Sequence, residues 1–159
     1  MTLRPLLALL LATGLAACSR PAAPAPAPAP AAPHAHHAPH GGTAVVLGAE
    51  QYHLELVRDA AAGRLSAYVL DGELENFIRL AAPALEITAT VGGQPRPLRL
   101  LPVANPATGE TVGSTALFET QADWLQTTPD FDGCLARIEV RGQVFTAVPF
   151  NFPRGNDRD

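Results

Sequence analysis

The stretch ALEITATV, residues 84–91, decides the fold class of this chain. Apolar residues stand at 85, 87, 89 and 91, and polar residues stand at 86, 88 and 90. This two-residue period is typical of a β-strand that buries one face and exposes the other. The turn residues GGQ follow and lead into a second apolar run, PLRLLPV. The stretch therefore predicts a strand within an all-β domain.

Other short apolar runs of strand length are spaced along the chain: TAVVL, QYHLELVR, RLSAYVL, TALFET, CLARIEVR and VFTAVPFNF. The last two are joined tightly at Gly142-Gln143, which predicts a hairpin. ELENFIRL and ADWLQTT have the length for only a turn or two of helix each. The pattern predicts an antiparallel β-sandwich of seven to eight strands at residues 42–152, immunoglobulin-like in general architecture. A small barrel is the competing arrangement.

The first residues, MTLRPLLALLLATGLAACSR, have the layout of a secretory signal peptide, with Arg4 before a short apolar run. LAAC, ending at Cys18, resembles the lipobox of bacterial lipoproteins. The resemblance implies that residues 1–17 are removed and that Cys18 carries lipid. Ser19 then implies the outer membrane, with the protein facing the periplasm. An ordinary signal peptide cleaved near Ala17 is the alternative.

A proline–alanine repeat, PAAPAPAPAPAAP, occupies residues 21–33. Alternating prolines fix φ and remove backbone donors, so this composition favours an extended spacer over a helix or sheet. We predict a disordered tether at residues 18–41 and a disordered tail at 153–159.

The composition excludes several functions. All basic residues are arginine, which removes lysine-based chemistry, and the formal net charge of −4 argues against nucleic acid as a partner. No serine elbow or other catalytic constellation occurs, so we do not expect an enzyme.

Four of the five histidines lie in PHAHHAPHGG, residues 33–42. Imidazole is the commonest protein ligand for zinc and copper, and this density predicts a metal-binding segment. The candidate ligands are His34, His36, His37 and His40. The alternatives are a solvated linker in which histidine is merely tolerated and a pH-sensing role.

The end of this segment, PHGG, resembles the start of the copper-binding octarepeat of prion proteins. The resemblance implies an imidazole ligand from His40 and backbone amide ligands from Gly41 and Gly42. His53 is a further candidate, because a hairpin across the turn GAE is expected to bring it from the outward face of its strand toward HGG. The alternative for His53 is an ordinary surface histidine.

Cys134 falls in phase with Ala136, Ile138 and Val140. This phase predicts a small buried thiol rather than a soft copper ligand.

The run from PHGG to DGELE resembles small exported bacterial proteins and domains found with heavy-metal efflux systems. The matching features are HGG before the first strand, YHLELV at residues 52–57 and LSAYVLDG at residues 65–72. The resemblance implies periplasmic metal handling, with a metal-efflux protein or another envelope protein as partner. Our first hypothesis is thus a lipid-anchored protein that binds copper or zinc for buffering, transfer or tolerance. The second is a structural or interaction lipoprotein that docks on an envelope partner and has no metal role.

Overall fold

A computed structural model of the chain describes residues 37–157. The predicted signal peptide, Cys18, the proline–alanine repeat, His34 and His36 lie outside the described residues. Between residues 37 and 157 the chain is nearly all β, as the alternation at 84–91 predicts, with one four-residue helix. The elements are β1 Thr43–Leu47, β2 Tyr52–Asp59, β3 Arg64–Asp71, β4 Leu85–Val91, β5 Gln94–Pro102, β6 Leu117–Gln121, α1 Trp124–Thr127, β7 Phe131–Val140 and β8 Gln143–Phe152.

The eight strands form an antiparallel sheet in the order β1-β2-β3-β6-β5-β4-β7-β8. β5 connects the two halves, because its first seven residues pair with β4 and its last two, Leu101 and Pro102, pair with β6. Apolar side chains from both halves meet in one core, including Leu54 and Leu56 from β2 and Ile87 from β4. The sandwich prediction is confirmed.

The strand faces agree with the sequence pattern in β4. Leu85, Ile87 and Ala89 are buried, whereas the polar residues between them are exposed. The last hairpin also forms as predicted, with Val140 paired to Gln143. Its two turn residues, Arg141 and Gly142, both have positive φ, which suits the right-handed twist of the flanking strands.

The phase predicted for β7 is wrong at Cys134. Ala136 and Arg137 are both exposed, so the alternation slips by one residue between Leu135 and Ile138. Cys134 therefore lies on the outward side of β7 and is only partly buried. The opposing strand has a matching irregularity, because Ala147 has a φ of 50°.

The edge of β1 is covered by the chain after β8. The side-chain oxygen of Asn156 accepts the Val46 N–H at 2.7 Å, and its Nδ2 donates to Val46 O at 3.2 Å. Thr43 Oγ1 donates to Pro153 O at 3.0 Å. Residues 153–156 thus differ from the predicted disordered tail, because their polar groups satisfy the open side of β1.

The outer face of β2 and β3 is covered too. Residues 72–80 do not form the predicted helical turn; they fold back over the sheet, with Phe77 bridged to Leu70. Leu70 and Leu74 are buried there, apart from the main core. Among residues 37–157 no helix is long and apolar enough to span a bilayer.

Candidate functional site

The carboxylate of Glu55 organises the chain that leads into β1. Glu55 Oε1 accepts the backbone N–H of His40 at 2.8 Å and that of Gly42 at 2.9 Å. Glu55 Oε2 lies 2.8 Å from His40 Nδ1. The Glu55 side chain is 0% exposed, so a fully buried carboxylate takes part in three hydrogen bonds with two residues, His40 and Gly42. Residues 40–42 therefore belong to the ordered domain rather than to the predicted tether.

The local sequence explains why the chain turns around this carboxylate. Gly41 has a φ of 67°, a conformation that glycine adopts at little cost. A Cβ at Gly42 would lie 2.5 Å from Leu56 O and 2.9 Å from Glu55 Cγ, so a larger residue does not fit there. The local backbone geometry thus explains why glycine occupies both positions of HGG.

The ring of His40 is fixed in place by Glu55 and by aromatic neighbours. An ionised carboxylate has no hydrogen to donate, so the hydrogen of this bond is assigned to Nδ1 of His40. In the neutral ring the lone pair is then on Nε2. The ring stacks on Tyr68, with centroids 3.9 Å apart and planes 17° apart. Phe77 lies at a tilt, with its centroid 5.7 Å from His40 and 6.0 Å from Tyr68.

The electrostatic environment of this cluster is negative. Burial raises the pKa of the Tyr68 hydroxyl, and the charges of Glu119 and Glu55 raise it further, whereas Arg64 acts to lower it. Negative charge beside an imidazole favours a cation on the ring nitrogen that remains open. The carboxylates beside His40 and Tyr68 therefore favour a positively charged partner at this end of the site.

A cavity of about 330 Å³ opens beside the rings of His40, Tyr68 and Phe77. Its far end is formed by the loop before β6, which also carries Asn105, Thr108 and Glu110. Arg79 holds that loop, since its guanidinium donates to Thr108 O and lies 3.9 Å from Glu110 Oε1. Phe77 is 48% exposed and forms an open wall.

Glu110 fixes the loop from inside. Burial acts to raise the pKa of its carboxyl, but hydrogen bonds from the Ala116 N–H and the Thr108 hydroxyl, together with the Arg79 charge, lower the pKa below its ordinary value. Both oxygens of Glu110 accept hydrogen bonds, at 2.8 Å from Ala116 N and 2.7 Å from Thr108 Oγ1. Both carboxylate oxygens of Glu110 are therefore used in holding the loop that lines the cavity.

The predicted metal ligands that the structure describes differ in their exposure and position. His37 is exposed at the start of the described residues, and His40 is 37% exposed beside the cavity. His53 is buried rather than outward-facing to solvent, with Nδ1 3.2 Å from Asp71 O. The hairpin register pairs His53 with Val46, and Glu55 is the β2 side chain that hydrogen-bonds to HGG.

The two glycine amides already have acceptors. The Gly42 N–H donates to Glu55, and the Gly41 N–H donates to Ala38 O at 2.9 Å. Binding copper through deprotonated amides, as in the octarepeat, would require both bonds to break. Within residues 37–157 there is no group of three or more His, Cys, Asp or Glu side chains placed to hold a metal ion.

Sequence reasoning missed Glu55, Tyr68 and Phe77 as members of the site. The signal was present in part: counting the β1–β2 register from the turn places Glu55 opposite Ala44, near the beginning of β1. Tyr68, on β3, is the residue that pairs with Glu55 of β2. The position of Phe77 depends on how residues 72–80 fold back, which no strand periodicity indicates.

Comparisons with known protein families, with curated proteins and with solved structures give no match to this chain.

Proposed function

We propose that this chain is a metal-binding protein of the bacterial cell envelope, with copper or zinc as its ion. His40 supplies the ordered ligand through Nε2. The other ligands come from the histidines that directly precede it, His34, His36 and His37. The protein buffers the metal or passes it to another envelope protein.

The observation that carries this proposal is the hydrogen bond between the buried Glu55 carboxylate and Nδ1 of the partly exposed His40 ring. Histidines that bind metals in proteins characteristically donate their second ring N–H to a carboxylate or carbonyl, which fixes the tautomer and makes the ligating nitrogen more basic. Glu55 is oriented by two backbone N–H groups, so the imidazole is held by a rigid partner. Such preorganisation lowers the entropic cost of binding.

The anchoring part of the proposal rests on the sequence. A lipid on Cys18 would hold the protein at the membrane, and the proline–alanine repeat would separate the metal site from the lipid. A site placed in this way serves exchange with a metal-efflux protein or another partner in the periplasm.

Docking of the sandwich on an envelope partner has less support. The open side of β1 is hydrogen-bonded by Asn156, and β8 carries Pro149, a residue that discourages strand addition. Metal binding has more support, because the Glu55 carboxylate orients the His40 ring beside the cavity.

Calorimetric titration of the purified full chain with Cu(II) and Zn(II) tests the proposal. We expect His40→Ala to remove the tightest binding and Glu55→Gln to weaken it by about 10–100-fold, the range found for partners that orient metal ligands. Glu86→Gln is the matched control, since it removes the same charge from an exposed residue of β4.

Two results would refute the proposal. One is the absence of binding tighter than millimolar for either ion. The other is equal affinity in the wild-type protein and in a variant that lacks His34, His36, His37 and His40.

A further inference from the structure

The cavity beside His40 is much larger than a metal ion requires. Its volume of about 330 Å³ is at the lower end of the range for small-molecule sites, roughly 300–1,000 Å³. Two of its walls are aromatic: the stacked rings of His40 and Tyr68, and the tilted ring of Phe77. A bare ion would leave these walls unused.

The polar groups at the far end are already engaged by the protein. Arg79 donates to Thr108 O, and Glu110 accepts from Ala116 N and Thr108 Oγ1. Nε2 of His40 has a lone pair and makes no hydrogen bond to any residue of 37–157. His40 thus lines the cavity with a ring nitrogen that residues 37–157 leave unbonded, next to surfaces that suit a flat apolar group.

The ring geometry selects the shape of that group. Phe77 is inclined 49° to His40 and 58° to Tyr68, so the three rings form an open corner rather than a closed stack. A planar aromatic ligand can lie against Phe77, with offset or edge contacts to the other rings. At the Tyr68 end of the cavity the charges of Glu55 and Glu119 favour a ligand with net positive charge, and Arg64 acts in the opposite direction. At the far end the guanidinium of Arg79 is engaged by Thr108 and Glu110.

We propose that this cavity binds a metal ion already held by a small planar chelating ligand. The inference rests on the proposed function in taking His40 Nε2 as a metal ligand. The imidazole nitrogen replaces one water molecule of the chelate, which is released, and the metal keeps its oxidation state. The organic part of the chelate packs against Phe77. The site would then accept metal as a complex as well as a free ion.

The 1:1 complex of Cu(II) with 2,2′-bipyridine is a suitable probe. Its affinity is measured by calorimetry, and its ligand set by electron paramagnetic resonance, in a full chain carrying His34→Ala, His36→Ala and His37→Ala. Those substitutions prevent the preceding imidazoles from competing with His40. We expect one added nitrogen ligand, and we expect tighter binding of the complex than of aqueous Cu(II) in this variant.

Phe77→Ala in the same variant separates the aromatic wall from the metal ligand. We expect a loss of about three- to tenfold in affinity for the bipyridine complex, the worth of one aromatic contact, and no change for aqueous Cu(II). Leu101→Ala is the matched control, because Leu101 is 53% exposed and does not line the cavity. It should change neither affinity.

Three outcomes would overturn the inference: equal affinity for the complex and for aqueous Cu(II), an unchanged affinity for the complex in Phe77→Ala, or retention of the complex by His40→Ala. Any of these can occur while the full set of histidines still binds aqueous Cu(II). A result that overturns the inference about the cavity can therefore be distinguished from one that refutes the proposed function.

Discussion

At the scale of single residues, the site depends on Glu55, a buried carboxylate on the same side of β2 as His53, which was predicted to face outward. The alternation in β2 places His53, Glu55 and Val57 on the same side of the strand. It does not tell which layers lie over that side. His40 and residues 72–80 cover it, so Glu55 is buried and has to be satisfied by hydrogen bonds. The glycines of HGG make those bonds possible.

Removing the Glu55 carboxylate should destabilise the protein. Glu55→Ala leaves the N–H groups of His40 and Gly42 without their acceptor, and we expect a loss of about 2–4 kcal/mol in the free energy of unfolding. Glu55→Gln keeps a carbonyl oxygen that can accept these bonds, so its loss should be smaller. Urea denaturation measures both, with Glu86→Ala expected within about 0.5 kcal/mol of wild type. Equal stability of Glu55→Ala and wild type would contradict the described bonding.

At the scale of elements, the strands could be predicted well from the sequence. The segments that pack over them or cap their edges could not. Period-two alternation gives both the existence of β4 and its buried face, because a strand in a sandwich has one side in the core. The slip in β7 between Leu135 and Ile138 escaped prediction, since Ala136 is apolar in the sequence but exposed in the structure. The capping of β1 by Asn156 joins positions 110 residues apart and has no local signal.

The contact between Asn156 and β1 should contribute to stability. Asn156→Ala removes both hydrogen bonds to Val46, each of which contributes about 0.5–1.5 kcal/mol. We expect lower stability and faster hydrogen exchange at the Val46 amide, measured by NMR. Arg154→Ala is the control, because Arg154 donates a hydrogen bond to Asn151 through its backbone N–H, which the substitution keeps. Unchanged exchange at Val46 in Asn156→Ala would show that the edge is held differently.

The loop that carries Glu110 should give the protein a pH-dependent term in stability. The pKa of Glu110 is lower in the folded protein than its ordinary value of 4.5. Its contribution is therefore present above that value and is lost as the pH falls through the folded pKa.

We expect the stability difference between wild type and Glu110→Gln to be largest near neutral pH and to shrink as the pH falls below 4.5, the unperturbed pKa of the Glu110 carboxyl. Denaturation at a series of pH values measures this difference. The exposed pair of Glu86 and Arg99 supplies the control variant, Glu86→Gln. A difference that does not change with pH would contradict the role given to Glu110.

At the scale of the whole molecule, the sequence predicts four parts: a signal peptide, a tether, a β-sandwich domain and a tail. The structure describes the domain together with the residues that flank it, 37–41 and 153–157. The ordered domain begins earlier than residue 42, because Glu55 binds His40 and Gly42. The histidine-rich segment therefore ends inside the domain. In the proposed function, this continuity would allow the fixed imidazole of His40 and the histidines before it to bind the same metal ion.

The lipid anchor is a separate prediction about the whole chain. In a bacterial host, wild-type protein should fractionate with membranes and carry an acyl mass on Cys18. Cys18→Ser should release the protein from the membrane fraction while leaving its thermal unfolding unchanged. Wild-type protein found in the soluble periplasmic fraction without the added mass would instead support an ordinary signal peptide.

The most direct test of the central claim is ¹⁵N NMR of the histidine side chains during titration with Zn(II). We predict that Nε2 of His40 takes the chemical shift of a metal-bound nitrogen, while Nδ1 keeps its hydrogen through the bond to Glu55. In Glu55→Gln the same change should require about 10–100-fold more zinc. No change at His40 when zinc is saturating, or coordination through Nδ1 instead of Nε2, would contradict the account.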